Sequence, residues 1–173
     1  MKVADPYRPL ENDTAASTLE WVRAENKITN DYLSKIPFRK CLRDQIESNN
    51  NYTRQGAPFR WKDGKYYFYR NEGLKNQSVL YRMDTLGSDP VVVIDPNTLS
   101  DDGTVALTGI SMSKDGKYIA YTISRSGSDW TEIYVIDAKT LKPLPDHIEW
   151  AKFTGAEWRE KGIDGSIGFF YSA

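Results

Sequence analysis

A motif that returns after about 50 residues constrains the fold of this chain more than any other feature. Lys-Asp-Gly-Lys-Tyr at residues 62–66 recurs at residues 114–118, and Asp-Gly at residues 164–165 begins a shorter third copy. The three aspartates are 115 − 63 = 52 and 164 − 115 = 49 residues apart, and an aromatic residue follows six positions after each. Asp-Gly between two strand-like segments favours a tight turn, because glycine accepts a positive φ and Asp can hydrogen-bond its own backbone. Each copy therefore predicts a β-hairpin within a repeated unit.

The segments around each hairpin complete a unit of four strands. Tyr, Val, Ile, Phe and Thr dominate short runs from residue 58 onward, as in strands that pack on a pleated surface. The predicted strands are 58–62, 65–70, 78–83, 90–94, 107–112, 117–123, 131–137, 148–153, 154–158 and 167–172. Four strands per period of about 50 residues are typical of β-propeller blades. The alternative is unrelated hairpins that share a common turn, but Tyr81 and Tyr134 also correspond, 18 and 19 residues after their aspartates.

Residues 13–50 have the periodicity of helices instead. Asn12 or Asp13 is placed to cap a first helix, which Pro37 would close. Apolar side chains recur along this helix at helical spacing: Leu19, Trp21, Val22, Ile28, Tyr32 and Leu33. A second helix would carry an apolar stripe formed by Phe38, Cys41, Leu42 and Ile46. Because Cys41 belongs to this stripe, we expect a buried small side chain and not a reactive thiol.

These patterns predict a mainly β chain. The expected fold is a partial β-propeller, with two four-stranded blades plus the start of a third, preceded by an α-helical N-terminal segment. The helical segment covers residues 1–52 and the blades residues 53–173, divided at about 53–104, 105–152 and a partial blade at 153–173. Propellers close with about four to eight blades, so the sequence indicates a portion of a longer polypeptide. Its open strand edges and uncovered blade faces predict that the isolated chain self-associates.

Charge and composition exclude several classes of protein. The formal net charge is −1 and basic residues are mixed with acidic ones, so no basic stripe indicates a nucleic-acid partner. No apolar run approaches the roughly 18 residues of a membrane span, so no membrane partner is expected. A single cysteine excludes an internal disulfide and leaves too few thiols for a structural zinc site. Residues 1–6 contain no apolar signal stretch, and the location, cytoplasmic or periplasmic, stays open.

The chain lacks a recognisable catalytic set. The single histidine, His147, stands near Pro145 at the start of a predicted outer strand, where we expect a solvated surface position. No Gly-x-Ser-x-Gly elbow occurs, and Ser-Gly-Ser-Asp at residues 126–129 is predicted to be a turn. Adjacent Asp101 and Asp102 also fit a turn, since they neither face each other across a cleft nor alternate like calcium ligands. We therefore predict no catalytic residue, no metal ligand and no cofactor site within these 173 residues.

Several longer segments resemble the opening of the prolyl oligopeptidase family of serine peptidases. They are Asp-Pro-Tyr-Arg with Leu-Glu at 5–11, Trp-Val-Arg-Ala-Glu-Asn at 21–26, Asn-Gln-Ser-Val-Leu-Tyr at 76–81, the stretch 95–107 and Ser-Arg-Ser-Gly-Ser-Asp-Trp at 124–130. The resemblance implies a seven-bladed propeller joined to an α/β-hydrolase domain that carries a Ser-Asp-His triad and cleaves short peptides after proline. It also implies that the propeller limits access to the active site, that the N-terminal helices pack on the hydrolase domain, and that the triad lies beyond Ala173. Proline-containing oligopeptides, the hydrolase domain and the remaining blades would be the partners, and this chain alone would be inactive.

The resemblance assigns one residue a role in substrate binding. Residues 151–158 match a stretch in which an aromatic side chain reaches the substrate pocket, and that side chain corresponds to Phe153. Packing between blades is the alternative role for Phe153. The sequence departs from the family at Pro9, where Trp is frequent, and at residues 160–164, which lengthen a turn. Family members also typically carry additional residues before the position of Met1.

A different class of function uses the same surface features. A stand-alone β-rich module could bind a protein or a glycan partner through exposed aromatic side chains such as Trp130 and Trp150. Blade faces that have lost their neighbours would also expose aromatic residues. A reading frame that stops after Ala173 would favour the module, and one that continues into a nucleophile elbow would favour the peptidase.

Overall fold

The computed structural model describes residues 3–159 and 162–172. Their contacts divide the chain into two units, one ending at Asn49 and the other beginning at Asn50. Part of the long turn predicted at 160–164 lies outside the described residues. Within those residues, neither helix is both long and apolar enough to cross a membrane.

The first unit consists of helices. A short 3-10 helix spans Arg8–Glu11, and two α-helices follow, α1 at Ala16–Ser34 and α2 at Arg39–Asn50. The predicted cap is wrong, because α1 has Ala15 at its N-cap and no side-chain hydrogen bond there. Asn12 instead accepts hydrogen bonds from the amide and hydroxyl of Thr14, at 3.2 and 2.9 Å, and so closes a turn before the helix.

The apolar stripes of both helices are largely exposed within the described residues. Thr18 is the one buried residue between positions 3 and 49. The expected burial of Cys41 is wrong: its side chain is exposed, and no residue of α2 is buried. A stripe at helical spacing predicts which side chains share a face, but burial also requires a second element that packs on that face.

The first blade is a five-stranded antiparallel sheet. Its strands are β1 (Thr53–Gln55), β2 (Phe59–Arg60), β3 (Tyr66–Glu72), β4 (Val79–Met83) and β5 (Val91–Ile94). Both β1 and β2 pair with the same partner strand, β3, and β4 and β5 follow in order. The sequence predicted a single strand at 58–62. Pro58 precedes β2 and cannot donate a ladder hydrogen bond, which fits the interruption.

The second blade has four continuous strands, and a third blade begins after it. The second blade contains β6 (Val105–Met112), β7 (Tyr118–Arg125), β8 (Trp130–Asp137) and β9 (Pro143–Lys152), antiparallel and in chain order. β10 (Glu157–Trp158) pairs with β11 (Phe169–Phe170) as the next hairpin. The prediction of a mainly β chain with partial propeller blades behind two helices is confirmed. The outer strand β9 starts earlier than predicted, and its prolines are compatible with a position at a sheet edge.

Two apolar cores join consecutive blades. One core contains side chains from blades one and two: Tyr67, Leu80, Val93, Ile94, Met112, Ile119, Ile136 and Ala138. The other contains Ala120, Ile133, Val135, Ala151 and Ala156, with Trp158 and Phe169 of the third hairpin packed against them. Polar contacts cross the same boundaries, since Lys62 donates to the carbonyl of Met112 at 3.1 Å and Trp158 Nε1 donates to Ser111 Oγ at 3.0 Å. Each blade therefore relies on its neighbour for a buried face.

Candidate functional site

Four side chains collect at one end of blade two, which we call the aromatic cluster: Trp130, Trp150, Lys152 and Phe153. The two indole rings meet edge to face, with centroids 5.7 Å apart. The Lys152 ammonium lies 5.2 Å from the centroid of the Trp130 ring and 5.1 Å from that of the Phe153 ring. The aromatic cluster thus holds a cation between two rings at the protein surface.

A β-bulge in the outer strand brings these side chains together. Trp130 pairs with Lys152 and Thr131 with Ala151, but the next pair joins Ile133 to Ile148. Glu149 and Trp150 therefore both lie opposite Glu132, and the register shifts at that point. A bulge changes the direction in which side chains point, and here Trp150 departs from the in-and-out alternation of the other β9 side chains and is exposed.

The backbone on either side of Ala151 is strained. Trp150 has a φ of 60° and Phe153 a φ of 51°, values that residues other than glycine seldom adopt. Ala151 is fully buried between them, and its carbonyl accepts a hydrogen bond from Thr131 Oγ1 at 3.0 Å. Such strain persists where surrounding structure enforces it, and it concentrates at functional sites.

The sequence-predicted residue Phe153 lies at the rim of an open groove. Its side chain is 82% exposed and belongs to neither core. The groove has a volume of about 500 Å³, and its other lining residues are Thr108, Gly109, Thr122, Ser124, Ser128, Asp129, Thr131, Thr154 and Gly155. The structure brings Phe153 together with Lys152 and this groove, and Phe153 is the one aromatic residue among the described residues that line it.

Hydroxyl groups dominate the wall of that groove. Thr108 Oγ1 donates to Thr122 Oγ1 at 2.9 Å, and Ser124 Oγ donates to the carbonyl of Ser128 at 2.6 Å. These bonds fix the hydroxyl oxygens and leave them lone pairs that can accept further hydrogen bonds. Such a wall suits an extended, polar ligand better than an apolar one.

A charged network adjoins the Trp130 and Trp150 pair, since Arg125 and Glu132 line a groove together with these two side chains. Glu132 accepts hydrogen bonds from Arg125 Nε and from the Tyr134 hydroxyl, and its carboxylate lies 3.0 Å from His147 Nε2. The Arg125 hydrogen bond is the main reason that the pKa of Glu132 falls to about 2, and the hydrogen bond to Glu132 in turn raises the pKa of Arg125. Burial, followed by the hydrogen bond to Glu132, raises the pKa of Tyr134. This network fixes the strands that carry the aromatic cluster.

The single histidine is exposed, as predicted, but it has partners. Its ring stacks on Tyr134 with centroids 4.4 Å apart, and its hydrogen-bond partner is the carboxylate of Glu132. Within the described part of the chain, no nucleophilic side chain is hydrogen-bonded to His147.

The acidic segment 101–102 and the serine-rich segment 126–129 both form turns, as predicted. In segment 126–129, Ser126 and Gly127 take positive φ values of 50° and 74° between β7 and β8. Asp102 Oδ1 accepts hydrogen bonds from the amide and hydroxyl of Thr104, at 3.0 and 2.8 Å, and the amide bond is the main cause of its lowered pKa. No group of three or more His, Cys, Asp or Glu side chains that could hold a metal ion occurs among residues 3–159 and 162–172.

Sequence reasoning identified Trp130, Trp150 and Phe153 but missed Lys152. Strict alternation along Ile-Glu-Trp-Ala-Lys at 148–152 would place Trp150 on the same face as Ile148. The bulge gives that inward position to Ala151 instead. The sequence of β9 carries no signal for this shift, because the extra residue is defined only by pairing with β8.

Comparison with known proteins identifies the group to which these blades belong. The family described as "Prolyl oligopeptidase, N-terminal beta-propeller domain" matches residues 1–173. A prolyl endopeptidase of Elizabethkingia miricola is 47% identical over 99% of this chain, and prolyl oligopeptidase A of Galerina marginata is 38% identical over 99%. Among solved structures, a prolyl endopeptidase superimposes on 91% of the chain with a TM-score of 0.82 at 30% identity.

The match covers the whole chain but only part of its relatives. The chain spans 23% of the length of the Elizabethkingia miricola protein and 25% of the Galerina marginata protein, and 23% of the solved prolyl endopeptidase. The blade repeat, the helical segment before it and the family match agree along the entire sequence. The chain belongs to the prolyl oligopeptidase family and corresponds to the N-terminal propeller portion of prolyl endopeptidases.

Proposed function

We propose that this chain forms the first blades of a prolyl oligopeptidase-type serine endopeptidase, in which it controls access of short peptides to the active site and contacts them through Phe153. The observation that carries this proposal is the exposed Phe153 ring on a strained backbone beside a polar groove. A buried ring would have supported the alternative role in blade packing. A hydroxyl-lined groove with one exposed aromatic side chain suits a peptide, which combines polar backbone groups with apolar proline rings.

The chemical step is proposed for the intact enzyme and not for this chain. Cleavage after proline requires an activated nucleophile, a base and an oxyanion hole. The described residues offer a histidine that is bonded to a carboxylate and stacked on a tyrosine, which is not such an arrangement. The C-terminal hydrolase domain and the remaining blades are therefore the proposed partners, and the isolated chain is proposed to be inactive.

The proposal is tested with the longer polypeptide that it implies, in which this chain is joined to the remaining blades and the hydrolase domain. We expect it to hydrolyse a chromogenic peptide with proline before the scissile bond, and we expect the 173-residue chain alone not to do so. Phe153→Ala in the longer polypeptide should lower kcat/KM about tenfold through KM, the loss expected when one aromatic contact to substrate is removed. Leu86→Ala, at another exposed apolar side chain, is the matched control and should leave kcat/KM unchanged. Hydrolysis by the purified 173-residue chain, or an unchanged KM for Phe153→Ala, would contradict the proposal.

Self-association of the isolated chain is a further part of the proposal. Both β5 and β9 are outer strands with an unpaired edge in the described blades, and open edges and missing neighbours favour association. Light scattering of the 173-residue chain should show dimers or larger species whose mass rises with concentration. A monomeric mass across a hundredfold range of concentration would contradict this expectation.

One observation favours a second candidate function. Trp130 and Trp150 are both exposed, and with Arg125, Glu132 and Glu149 they line a groove of about 220 Å³. Exposed tryptophan pairs occur at sites that bind proteins or glycans. A reading frame that ends at Ala173 and a chain that binds a partner through these indoles would favour the interaction module over the peptidase.

A further inference from the structure

We propose that the Lys152 ammonium binds a carboxylate of the peptide substrate, which makes Lys152 a specificity-determining residue of the proposed peptidase. The carboxylate is either the C-terminus of the peptide or an acidic side chain, and the experiment below separates these sources. The inference rests on the proposed function, because it assigns a substrate feature to the same site.

The position of the ammonium is fixed by its surroundings. Lys152 follows the buried Ala151 on β9 and precedes Phe153, which has a φ of 51°. The ammonium lies 5.1 Å from the Phe153 ring centroid and 5.2 Å from the Trp130 ring centroid. Two aromatic faces therefore restrain a flexible side chain next to the ring that is proposed to contact substrate.

The hydrogen-bonding capacity of that ammonium is largely unused. An ammonium has three N–H donors, and among the described residues the nearest carboxylate to the Lys152 ammonium is that of Asp129, beyond hydrogen-bond distance. Its ion-pair contact with Asp129 Oδ2 is 3.7 Å long, and the side chains of Lys152 and Asp129 are 36% and 64% exposed. By contrast, Lys65 bonds Asp84 at 2.7 Å and Lys62 bonds a main-chain carbonyl at 3.1 Å. Lys152 is held in place by aromatic rings while its donors stay open to a ligand.

The ligand expected at such a group is an anion. Carboxylate oxygens form charge-assisted hydrogen bonds with an ammonium, and the adjacent hydroxyl-lined groove can hold the peptide that carries the carboxylate. A positively charged ligand is disfavoured, because the Lys152 ammonium already lies over the Trp130 ring and would repel it. Asp129 is the competing charge, so it should weaken binding of a carboxylate.

The test measures binding to the full 173-residue chain by tryptophan fluorescence, since Trp130 lies in the aromatic cluster. The probes are acetyl-Ala-Ala-Pro-Ala-Ala as the free acid, the same peptide as its amide, and the amide with Glu in place of the last Ala. We expect the free acid or the Glu amide to bind about threefold more tightly than the plain amide, as for one exposed ion pair. Whichever carboxylate gives that gain is the source.

Four variants distinguish binding by Lys152 from a structural role. Lys152→Met should abolish the preference for a carboxylate, and Lys152→Arg should retain it, because arginine keeps the charge. Asp129→Asn should increase the preference, whereas a structural ion pair would predict weaker binding of every peptide. Lys114→Met removes an exposed lysine from the turn between β6 and β7 and should change nothing.

Equal affinities for the three peptides, or a preference that survives Lys152→Met, would overturn the assignment of Lys152. Absence of binding by any of the peptides would overturn it as well. None of these three results bears on hydrolysis by the longer polypeptide, which tests the proposed function separately.

Discussion

The helical unit and the blades carry apolar residues in similar patterns but bury them to different extents. Ile28 in α1 is 64% exposed, whereas Ile119 in β7 is fully buried in the core between blades one and two. In the blades, successive sheets cover each other and share polar contacts as well as apolar ones. In the helical unit, the two helices leave their stripes exposed among the described residues.

This difference shows where the stability of each unit arises. Short isolated helices are marginal in water, because most helix stability comes from packing of the apolar face. A blade gains a buried face from its neighbour, so every added blade completes one core and opens another. We therefore expect a larger free energy of unfolding for the described blades than for the helices.

The largest expected effect comes from removing a side chain at the core between blades. Ile119→Ala should lower the free energy of unfolding of the blades by about 3 kcal/mol, because Ile119 is fully buried and its truncation leaves a cavity in the core. Ile28→Ala in α1 is the matched control and should change stability by less than about 0.5 kcal/mol. Hydrogen exchange of the β7 and α1 amides, followed in each variant and in the wild-type chain, measures the loss of stability in both units.

The milder Ile119→Val keeps this prediction testable if the alanine variant does not fold. It should cost about 1 kcal/mol in the same measurement. A cost for Ile28→Ala as large as that for Ile119→Ala would break the comparison, since it would mean that the exposed stripe is a packed surface in solution.

A second expected effect distinguishes the two equivalent Asp-Gly turns of the blades. Gly116 has a φ of 73°, and a Cβ at this position would lie 3.0 Å from the main-chain nitrogen of Asp63 in the turn of blade one. Gly64 has a φ of 81°, but a Cβ there would meet only the end of the Arg60 side chain at 3.6 Å. Alanine is strained at both positions because of the positive φ. At Gly116 alone, the added Cβ would also lie close to main-chain atoms.

We therefore expect Gly116→Ala to cost about 2 kcal/mol and Gly64→Ala about 1 kcal/mol of unfolding free energy. Urea-induced unfolding followed by tryptophan fluorescence gives both values. If both variants lose the same unfolding free energy, the two turns are not in close contact, and each Asp-Gly turn stabilises only its own hairpin.

The repeat predicted these turns correctly because their interactions are local. Asp63, Asp115 and Asp164 each accept a hydrogen bond from the amide two residues later, at 3.0, 3.2 and 3.0 Å. Such bonds depend only on neighbouring residues and are encoded in a short motif. The order of strands within blade two follows from the same hairpins, which is why the propeller portion could be predicted from the sequence.

Features that depend on distant partners could not be predicted in the same way. The bulge opposite Glu132 exists because β9 must pair with β8 on both sides of it, and the sequence of β9 alone shows only alternation. The division of the first strand into β1 and β2, and the exposure of Cys41, likewise depend on what each segment packs against. For the candidate site, Phe153 came from family resemblance, whereas Lys152 required the geometry of the rings around it.

The smallest expected effect concerns charges, and it contrasts the network of blade two with the ion pairs of the helices. The pKa of Glu132 is about 2, below its ordinary value of 4.5, chiefly because of the hydrogen bond from Arg125. A depressed carboxyl pKa stabilises the folded state above pH 4.5, and that contribution is lost as the pH falls toward 2. Glu132→Gln should therefore destabilise the blades by about 1 kcal/mol at pH 7, and the difference from wild type should shrink between pH 4.5 and 2.

The helix pair Lys27 and Asp31 provides the control for this charge effect. Its atoms lie 2.7 Å apart on the exposed surface of α1, so Asp31→Asn should cost only about 0.3 kcal/mol at pH 7. Urea unfolding of both variants at pH 7, 4.5 and 3 measures the two contributions. If Glu132→Gln differs from wild type by the same amount at all three pH values, its effect comes from packing and not from the charge.

The distinction matters for the site, because Glu132 lies opposite the bulge that carries Trp150 and precedes Lys152 and Phe153. A charge-dependent Glu132 network would make the geometry of the aromatic cluster sensitive to acid, because protonation of Glu132 weakens its interaction with Arg125.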